Sequence, residues 1–207
     1  MFVFMIKNNI LGVILAGGKS KRFGEDKSKA KLNGKTLLEH TLDKIKSKFN
    51  KIIIVSNNKI LKDYITINDY IDGQLGPLVG VLSAMKWIKK NNYSYNWIAT
   101  FPCDTPFFNI SLIDKFVEAS KLNDSLLYFV KSEEKRHNIF GLWSLKLIET
   151  LENDIMQNNY RKVESWANKI GVKTINIPYK EIDPFFNINT KEDFEEAEKI
   201  FTKYKND

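Results

Sequence analysis

The most informative segment of the sequence is Ile10-Leu11-Gly12-Val13-Ile14-Leu15-Ala16-Gly17-Gly18-Lys19-Ser20. Its first part is short and continuously apolar, which is typical of a strand buried on both faces of a parallel sheet. The adjacent glycines let the main chain approach a ligand closely, and successive main-chain amides can bind an anion. Because ligands bind beyond the carboxyl ends of such strands, the segment predicts a phosphate-binding loop after a first buried strand.

Predicted strands and helices alternate along the rest of the chain. The predicted strands cover residues 10–16, 52–55, 65–71, 97–101, 126–130, 138–143 and 172–177. The predicted helices cover residues 36–49, 78–89, 110–121, 144–154, 161–169 and 190–204, the last with Thr190 as its N-cap. This alternation predicts an α/β fold with right-handed crossovers and a mostly parallel sheet.

Length and composition indicate one globular domain. The chain has 207 residues, of which 43% are hydrophobic and 28% charged. We expect a single domain over residues 10–207, preceded by an N-terminal extension over residues 1–9. The apolar start of this extension is too short for a secretory signal, and no run reaches the ~20 apolar residues of a membrane span. The sequence therefore predicts a cytoplasmic protein without membrane contact.

Charge and cysteine content exclude several classes of function. Basic residues outnumber acidic ones by 32 to 25, but only three of them are arginines and the lysines are dispersed. A nucleic-acid surface requires clustered arginines or stacking aromatics, so no nucleic-acid partner is expected, whereas the positive field suits an anionic substrate. The one cysteine, Cys103, excludes an intrachain disulfide and a cysteine-based zinc site.

The basic loop after the first strand does not follow the common phosphate-binding patterns. A Walker loop requires glycine at position 13, where this chain has Val13, and a dinucleotide fingerprint requires Gly-x-Gly, whereas Gly17 and Gly18 are adjacent. The loop therefore predicts a phosphate site of another kind, and a flexible basic turn is the alternative. Its cations are Lys19, Lys21, Arg22 and Lys27.

An aspartate follows the predicted strand at residues 97–101. Asp104 stands between Pro102 and Pro106, which restrict the main chain around it. A rigid carboxylate opposite a basic phosphate loop indicates a Mg²⁺ site, because this ion prefers hard oxygen ligands. The alternative is an aspartate that only caps a turn. Catalysis by the neighbouring thiol of Cys103 is disfavoured, because the chain offers only two histidines as partners.

Four motifs in order resemble those of the molybdenum cofactor guanylyltransferases, the MobA-type enzymes. The family's Leu-Ala-Gly-Gly-x-Ser-x-Arg-Phe-Gly and Asp-Lys signature stands at residues 15–27, and its Gly-Pro-Leu-x-Gly at residues 76–80. Its Pro-Cys-Asp-Thr-Pro stands at residues 102–106, and its Asn-x-Asn-Thr-x-Glu-Asp at residues 187–193. The resemblance extends from Ile10 to the final helix.

The resemblance implies a fold and an activity. The fold is a three-layer α/β/α Rossmann-like sandwich of the nucleotidyltransferase or glycosyltransferase-A type with a mostly parallel sheet. The activity is transfer of GMP from MgGTP to molybdopterin carrying molybdenum, with release of pyrophosphate. The product is a molybdopterin guanine dinucleotide cofactor. Transient contact with cofactor-pathway proteins or apo-molybdoenzymes is also implied.

Site residues follow from the same resemblance, position by position. The implied GTP-binding residues are Leu15, Ala16, Gly17, Gly18, Lys27, Asn57, Asp72 and Asp104. Arg22, Lys27 and Asp104 are the implied catalytic residues, the first two on the triphosphate and Asp104 on Mg²⁺. Asn187 and Asn189 would line the active site near the metal or the acceptor.

Two positions depart from the family pattern. The nucleotide-binding asparagine of the second strand aligns without gaps to Val55, so we assign that contact to Asn57. Asn138 stands where relatives usually have proline after the histidine, here His137, which leaves the role of this pair in acceptor binding open.

Three alternatives share part of this pattern. A cytidylyltransferase acting on molybdopterin typically has Leu-Ala-Ala-Gly in the first motif, and Gly18 favours guanine instead. Sugar-1-phosphate nucleotidyltransferases share the fold but are generally longer. A non-catalytic nucleotide-binding module is disfavoured by the presence of Lys27 and Asp104. The pairs Phe107-Phe108 and Phe185-Phe186 are expected either to pack in the site loops or to flank the pterin.

Overall fold

The structure is a computed structural model that describes residues 9–17, 31–58, 61–73 and 75–206. The predicted N-terminal extension, apart from Asn9, lies outside these residues, as does most of the predicted basic loop. The predicted site residues outside them are Gly18, Arg22 and Lys27, together with the cations Lys19 and Lys21.

The strands of the described residues form one large sheet and one small ribbon. They are β1 (Ile10–Leu15), β2 (Lys31–Leu32), β3 (Lys35–Thr36), β4 (Ile52–Val55), β5 (Ile65–Ile67), β6 (Trp97–Pro102), β7 (Leu127–Ser132), β8 (Lys135–Ser144) and β9 (Lys173–Asn176). In this part of the chain, β2 pairs with β3, and the other strands form a sheet of seven in the order β5-β4-β1-β6-β8-β7-β9. All neighbours in that sheet are parallel except the two pairs that include β8. The predicted mostly parallel sheet is confirmed.

Helices cover both faces of the sheet. They are α1 (Leu37–Ile45), α2 (Pro77–Lys90), α3 (Ser111–Leu122), α4 (Ile148–Met156), α5 (Val163–Ile170) and α6 (Lys191–Asn206), with a 3-10 turn at Leu145–Leu147. Helices α1 and α3 contribute to one hydrophobic core, and α2, α4 and α5 to a second. The layers are therefore α/β/α. Of the helices in the described ranges, none is long and apolar enough to span a bilayer.

The two cores explain why the first strand is continuously apolar. Ile10 and Ile14 belong to the first core, whereas Leu11 and Val13 belong to the second, and all are at most 1% exposed. A polar residue at any of these positions would lose its hydration without gaining a partner. Burial on both faces, as predicted from the sequence, therefore fixes β1 in the centre of the sheet.

Helix α1 is shorter than predicted. It is capped by Thr36, whose hydroxyl accepts a hydrogen bond from the main-chain N–H of Glu39, while the Thr36 N–H donates to the Glu39 carboxylate. The helix ends at Ile45 instead of continuing to residue 49. Phe49 is buried nevertheless, because its ring packs edge-on against Phe101 beneath the sheet.

Two predicted strands have different bounds in the structure. The strand expected over 65–71 is confined to Ile65–Ile67, and β8 begins at Lys135 rather than at residue 138. Only Glu133 and Glu134 separate β7 from β8, and so short a connection can join only antiparallel strands. This hairpin accounts for the antiparallel strand within an otherwise parallel sheet.

Candidate active site

Three central strands end at the same edge of the sheet. Leu15 at the end of β1 is level with Val55 of β4 on one side and with Pro102 of β6 on the other. The segments that follow these strands therefore begin side by side, and Ala16 N–H extends the pairing by donating to the Val55 carbonyl at 3.0 Å. The predicted site residues Leu15, Ala16, Gly17, Asn57 and Asp104 all lie along this carboxyl edge.

Helix α2 begins at this edge and approaches β1 closely. A Cβ at Gly80 would lie 3.1 Å from the Leu15 side chain, so glycine allows the helix to pack directly on the end of the strand. Gly76, the residue before the helix, has a φ of 92°, which favours glycine, and Pro77 is the first helical residue. The first N–H groups of α2 are therefore presented beside the end of β1, where they favour negative charge.

The loop between α4 and α5 supports the start of α2. The carbonyl oxygen of Arg161 is 3.3 Å from the Cβ that Gly76 lacks. The Arg161 guanidinium donates to the carbonyls of Ile155 and Tyr160, both at 2.8 Å, and so holds its own loop in shape. Arg161 therefore has a structural role at the edge of the site.

Asn57 is held by an aspartate that the sequence analysis did not single out. The Asn57 amide donates to the Asp69 carboxylate at 3.0 Å, and the Asp69 main-chain N–H donates to the Asn57 side-chain oxygen at 3.0 Å. Val55, the ungapped position, is 2% exposed and points into the core, so its side chain cannot reach a ligand. The geometry therefore favours Asn57 over Val55 as the residue whose side chain can reach a ligand at this strand end.

The observed end of β5 explains why Asp69 was missed. A strand over 65–71 would place Asp69 inside the sheet, whereas the observed end at Ile67 places it at the carboxyl edge. Its carboxylate is 4.0 Å from the Cβ position of Gly80 in the Gly-Pro-Leu motif. Asp72, the predicted nucleotide-binding residue, is exposed and lies further along the same loop. A polar residue just beyond the end of a parallel strand was the signal that could have identified Asp69.

The motif of Asn187 and Asn189 meets the motif of Asp104 through the main chain. The Ile188 N–H donates to the Asp104 carbonyl at 2.9 Å, and the Ile188 side chain is fully buried. Asn187 and Asn189, on either side, are both exposed. One hydrogen bond thus joins residues that are more than eighty positions apart in sequence, and the motifs alone did not predict it.

The same segment is fixed at its other end by the cap of α6. The main-chain N–H groups of Asn189 and Thr190 donate to the Asp193 carboxylate at 2.8 and 2.9 Å. The Asp193 N–H donates in return to the Thr190 hydroxyl at 3.1 Å. This reciprocal pairing agrees with the predicted N-cap and stabilises the helix start beside the site.

The residues at this edge have the donor chemistry that Mg²⁺ requires. Asp104 is half-buried, and the Thr105 hydroxyl is 3.4 Å from one of its carboxylate oxygens. Within the described ranges, no cluster of three or more His, Cys, Asp or Glu side chains is arranged around a common point. A single carboxylate suits an ion that takes its remaining ligands from water and substrate phosphates.

Each histidine ring is hydrogen-bonded to a group other than the cysteine. The His40 ring is hydrogen-bonded to the Leu32 carbonyl at 2.6 Å, and the His137 ring to the Ser132 hydroxyl at 2.6 Å. Cys103 packs at the margin of the first core. That the thiol is a packing group rather than a nucleophile stays a prediction.

His137 and Asn138 lie on an irregular part of β8. The β7–β8 pairing passes from Phe129–Gly141 directly to Val130–His137, so residues 138–140 form a bulge. The buried Thr100 hydroxyl donates to the Ile139 carbonyl at 2.6 Å and so fixes the bulge to β6. Asn138 accepts a hydrogen bond from the Arg136 side chain at 2.7 Å. The bulge places His137 opposite Val130, where its ring contacts the Phe185 ring.

The sheet order and the layers define an α/β/α fold with a candidate site at its carboxyl edge, and comparisons with known proteins identify the family as one of nucleotidyltransferases. Residues 12–170 match the family described as "MobA-like NTP transferase domain". The chain therefore belongs to the MobA-like NTP transferases.

Individual relatives agree with this family. The chain is 32% identical, over 93% of both chains, to a molybdenum cofactor guanylyltransferase of Rhizobium johnstonii. It is 30% identical to one of Nitrobacter hamburgensis over 91% of this chain and 93% of that one. A solved structure of molybdopterin-guanine dinucleotide biosynthesis protein A from Archaeoglobus fulgidus superposes with a TM-score of 0.75 at 22% identity. That match covers 93% of this chain and 99% of that one, and it bears on the fold.

Proposed function

We propose that this chain is a molybdenum cofactor guanylyltransferase. It transfers GMP from GTP, in the presence of Mg²⁺, to molybdopterin carrying molybdenum and releases pyrophosphate. The observation that carries the proposal is the hydrogen bond between Ile188 and Asp104, which brings two of the four motifs to one edge of the sheet. The names of the curated relatives support the choice of substrates.

The reaction is an in-line attack on the α-phosphorus of GTP. A phosphate oxygen of the acceptor forms the new P–O bond, and the bond between the α-phosphorus and the bridging oxygen of the leaving pyrophosphate breaks. The nucleophile is already an anion, so no strong general base is needed. Catalysis then depends on positioning and on neutralising negative charge.

The nucleotide is held by main-chain and side-chain groups at the carboxyl edge. Main-chain groups of Leu15, Ala16 and Gly17 contact the guanine and ribose, and Gly18 also binds GTP. Asn57, with its orientation fixed by Asp69, and the exposed Asp72 are the polar groups on the β4 and β5 side.

Arg22 and Lys27 bind the triphosphate and offset the charge on the leaving pyrophosphate. Asp104 would hold Mg²⁺, and Asn187 and Asn189 would line the metal or acceptor side. When bound, the ion supplies positive charge to phosphate oxygens. The protein keeps the Asp104 main chain in place through Ile188.

The experiment that tests this function supplies GTP and CTP in parallel. Purified protein is mixed with Mg²⁺ and molybdenum-loaded molybdopterin, and both pyrophosphate and the dinucleotide product are measured. We expect turnover with GTP alone. Turnover with CTP alone would retain the reaction type but contradict the assignment of guanine, and no turnover with either nucleotide would contradict the proposed acceptor.

A further inference from the structure

A stack of a histidine on a phenylalanine lies at the border of the site, and both of its residues lie outside the four motifs. The His137 and Phe185 rings are stacked, with centroids 4.4 Å apart and an interplanar angle of 30°. The His137 ring is fixed from its other side by the hydrogen bond of 2.6 Å to the Ser132 hydroxyl. Ser132 and Phe185 are each 2% exposed. His137 is therefore clamped between the β7–β8 hairpin and residue 185.

Phe185 belongs to the segment that carries both asparagines, residues 183–190, which we call the asparagine segment. Its first turn is closed by Asp183, which accepts hydrogen bonds from the main-chain N–H groups of Phe185 and Phe186. The Phe185 ring also packs edge-on against Phe140 at 4.9 Å. Because Phe185 is buried, it packs the segment against the sheet and does not flank a bound pterin.

Besides the cap of α6, two contacts hold the asparagine segment near Asp104. One is the stack of Phe185 on His137, and the other is the Ile188 N–H bonded to the Asp104 carbonyl. Asn187 lies between these two points, and Asn189 directly follows the second. A displacement of Phe185 is therefore transmitted over a few peptide units to the groups nearest Asp104.

The imidazole is suited to this place as a neutral ring. Burial is the main cause that lowers the pKa of His137 to about 4, with Lys135 adding to the effect and Asp183 opposing it. At neutral pH the ring is uncharged, so it stacks without the desolvation cost of a cation. An imidazole nitrogen of His137 is hydrogen-bonded to the Ser132 hydroxyl. An apolar ring at this position would leave that buried hydroxyl without this partner.

We propose that His137 is a positioning residue that holds the asparagine segment, through its stack on Phe185, at the distance from Asp104 that guanylyl transfer requires. This inference rests on the proposed function. GTP contacts are assigned mainly to other segments, so loss of the stack acts on turnover rather than on nucleotide binding. Small misplacements of reacting groups cost up to about 100-fold in rate.

The test compares three variants with a matched control. His137→Ala removes the stack and the hydrogen bond, His137→Phe keeps an aromatic ring, and Ser132→Ala keeps the imidazole. The control is Tyr93→Ala, which removes a stack of 5.1 Å with Trp87 at the opposite edge of the sheet. Steady-state transfer with GTP, thermal melting, and hydrogen exchange at the Ile188 amide are measured for each.

We expect His137→Ala to lower kcat at least about tenfold with the KM for GTP within about twofold, as small misplacement predicts. Exchange at the Ile188 amide should accelerate. His137→Phe and Ser132→Ala should fall between this variant and the wild type, and Tyr93→Ala should keep the wild-type kcat even if its melting temperature falls. A folded His137→Ala protein with the kcat of the control, or with unchanged exchange at Ile188, would overturn the proposal.

The exchange measurement separates this proposal from the proposed function. If the wild type lacks guanylyl transfer, the proposed function fails, but accelerated exchange at Ile188 in His137→Ala still supports the positioning of the segment. If the wild type is active and the variants retain full kcat, the positioning role fails and the proposed function stands.

Discussion

At the scale of single residues, the carboxyl edge combines buried residues that fix the main chain with polar residues that face solvent. Ile188 is fully buried and holds the Asp104 carbonyl, while Asn187 and Asn189 beside it are exposed. Asn57 is likewise exposed but has its orientation fixed by Asp69. Exposed polar groups on a fixed main chain are arranged as binding a charged substrate requires.

Replacing Asp104 tests the residue assigned to the metal. Asp104→Ala should lower kcat by about 100- to 1000-fold, as loss of one group that stabilises transition-state charge typically does. The fold should persist, because the hydrogen bond to Ile188 uses the Asp104 main chain. Asp114→Ala, which removes an exposed carboxylate paired with Lys48, is the control and should turn over normally. Wild-type turnover of Asp104→Ala would refute the assignment.

Two aspartates compete for the role of nucleotide contact. Asp69 is bonded to Asn57 and lies next to Gly80, whereas Asp72 is exposed further along the loop. We therefore expect Asp69→Ala to raise the KM for GTP more than Asp72→Ala does. Titrating GTP against both variants decides between them, and a larger effect of Asp72→Ala would support the assignment made from the sequence motifs alone.

The stability of the protein should depend on pH through His137. Its folded-state pKa of about 4 lies below the ordinary value of 6.5, so between these values the unfolded chain binds more protons than the folded one. The free energy of unfolding therefore falls as the pH is lowered through this window. Urea unfolding at pH 7 and pH 5 should show a larger loss for the wild type than for His137→Phe. Equal losses would contradict this account.

At the scale of elements, the sequence predicted most strands and helices but not the features that tertiary contacts create. The run Ile52–Val55 was predicted with its observed bounds, because a strand buried on both faces has a continuous apolar pattern. The bulge at residues 138–140 leaves no such pattern, because it depends on the Thr100 hydroxyl of a neighbouring strand. The early end of β5, which places Asp69 at the edge, was also missed. There, too, the contacts of Asp69 are with a residue from another segment, Asn57.

The Thr100 hydroxyl should stabilise this bulge. It donates to the Ile139 carbonyl and accepts a hydrogen bond from the Trp143 indole N–H at 2.8 Å, and it is fully buried. Thr100→Val keeps the shape but leaves both partners unsatisfied, so unfolding free energy should fall by about 1–3 kcal/mol. Thr100→Ser keeps the hydroxyl and should lose less in a parallel urea titration. An equal loss in both variants would argue against the hydrogen bonds as the cause.

At the scale of the whole molecule, the order of strands brings distant motifs together. Strands β1, β4 and β6 are adjacent and parallel, so the segments that follow them meet at one edge although they are far apart in the chain. The sequence predicted this meeting from the rule for parallel sheets. It could not predict how residues 183–190 return to Asp104, because that path depends on the main-chain hydrogen bond of Ile188 and on the stack of Phe185.

Direct competition between nucleotides tests whether this site transfers guanylate. The protein is given equimolar GTP and CTP with Mg²⁺ and molybdenum-loaded molybdopterin, and the dinucleotide products are separated and quantified. We predict that the guanine dinucleotide forms in large excess. Predominant formation of the cytosine dinucleotide, or the absence of any dinucleotide product, would contradict guanylyl transfer by this protein.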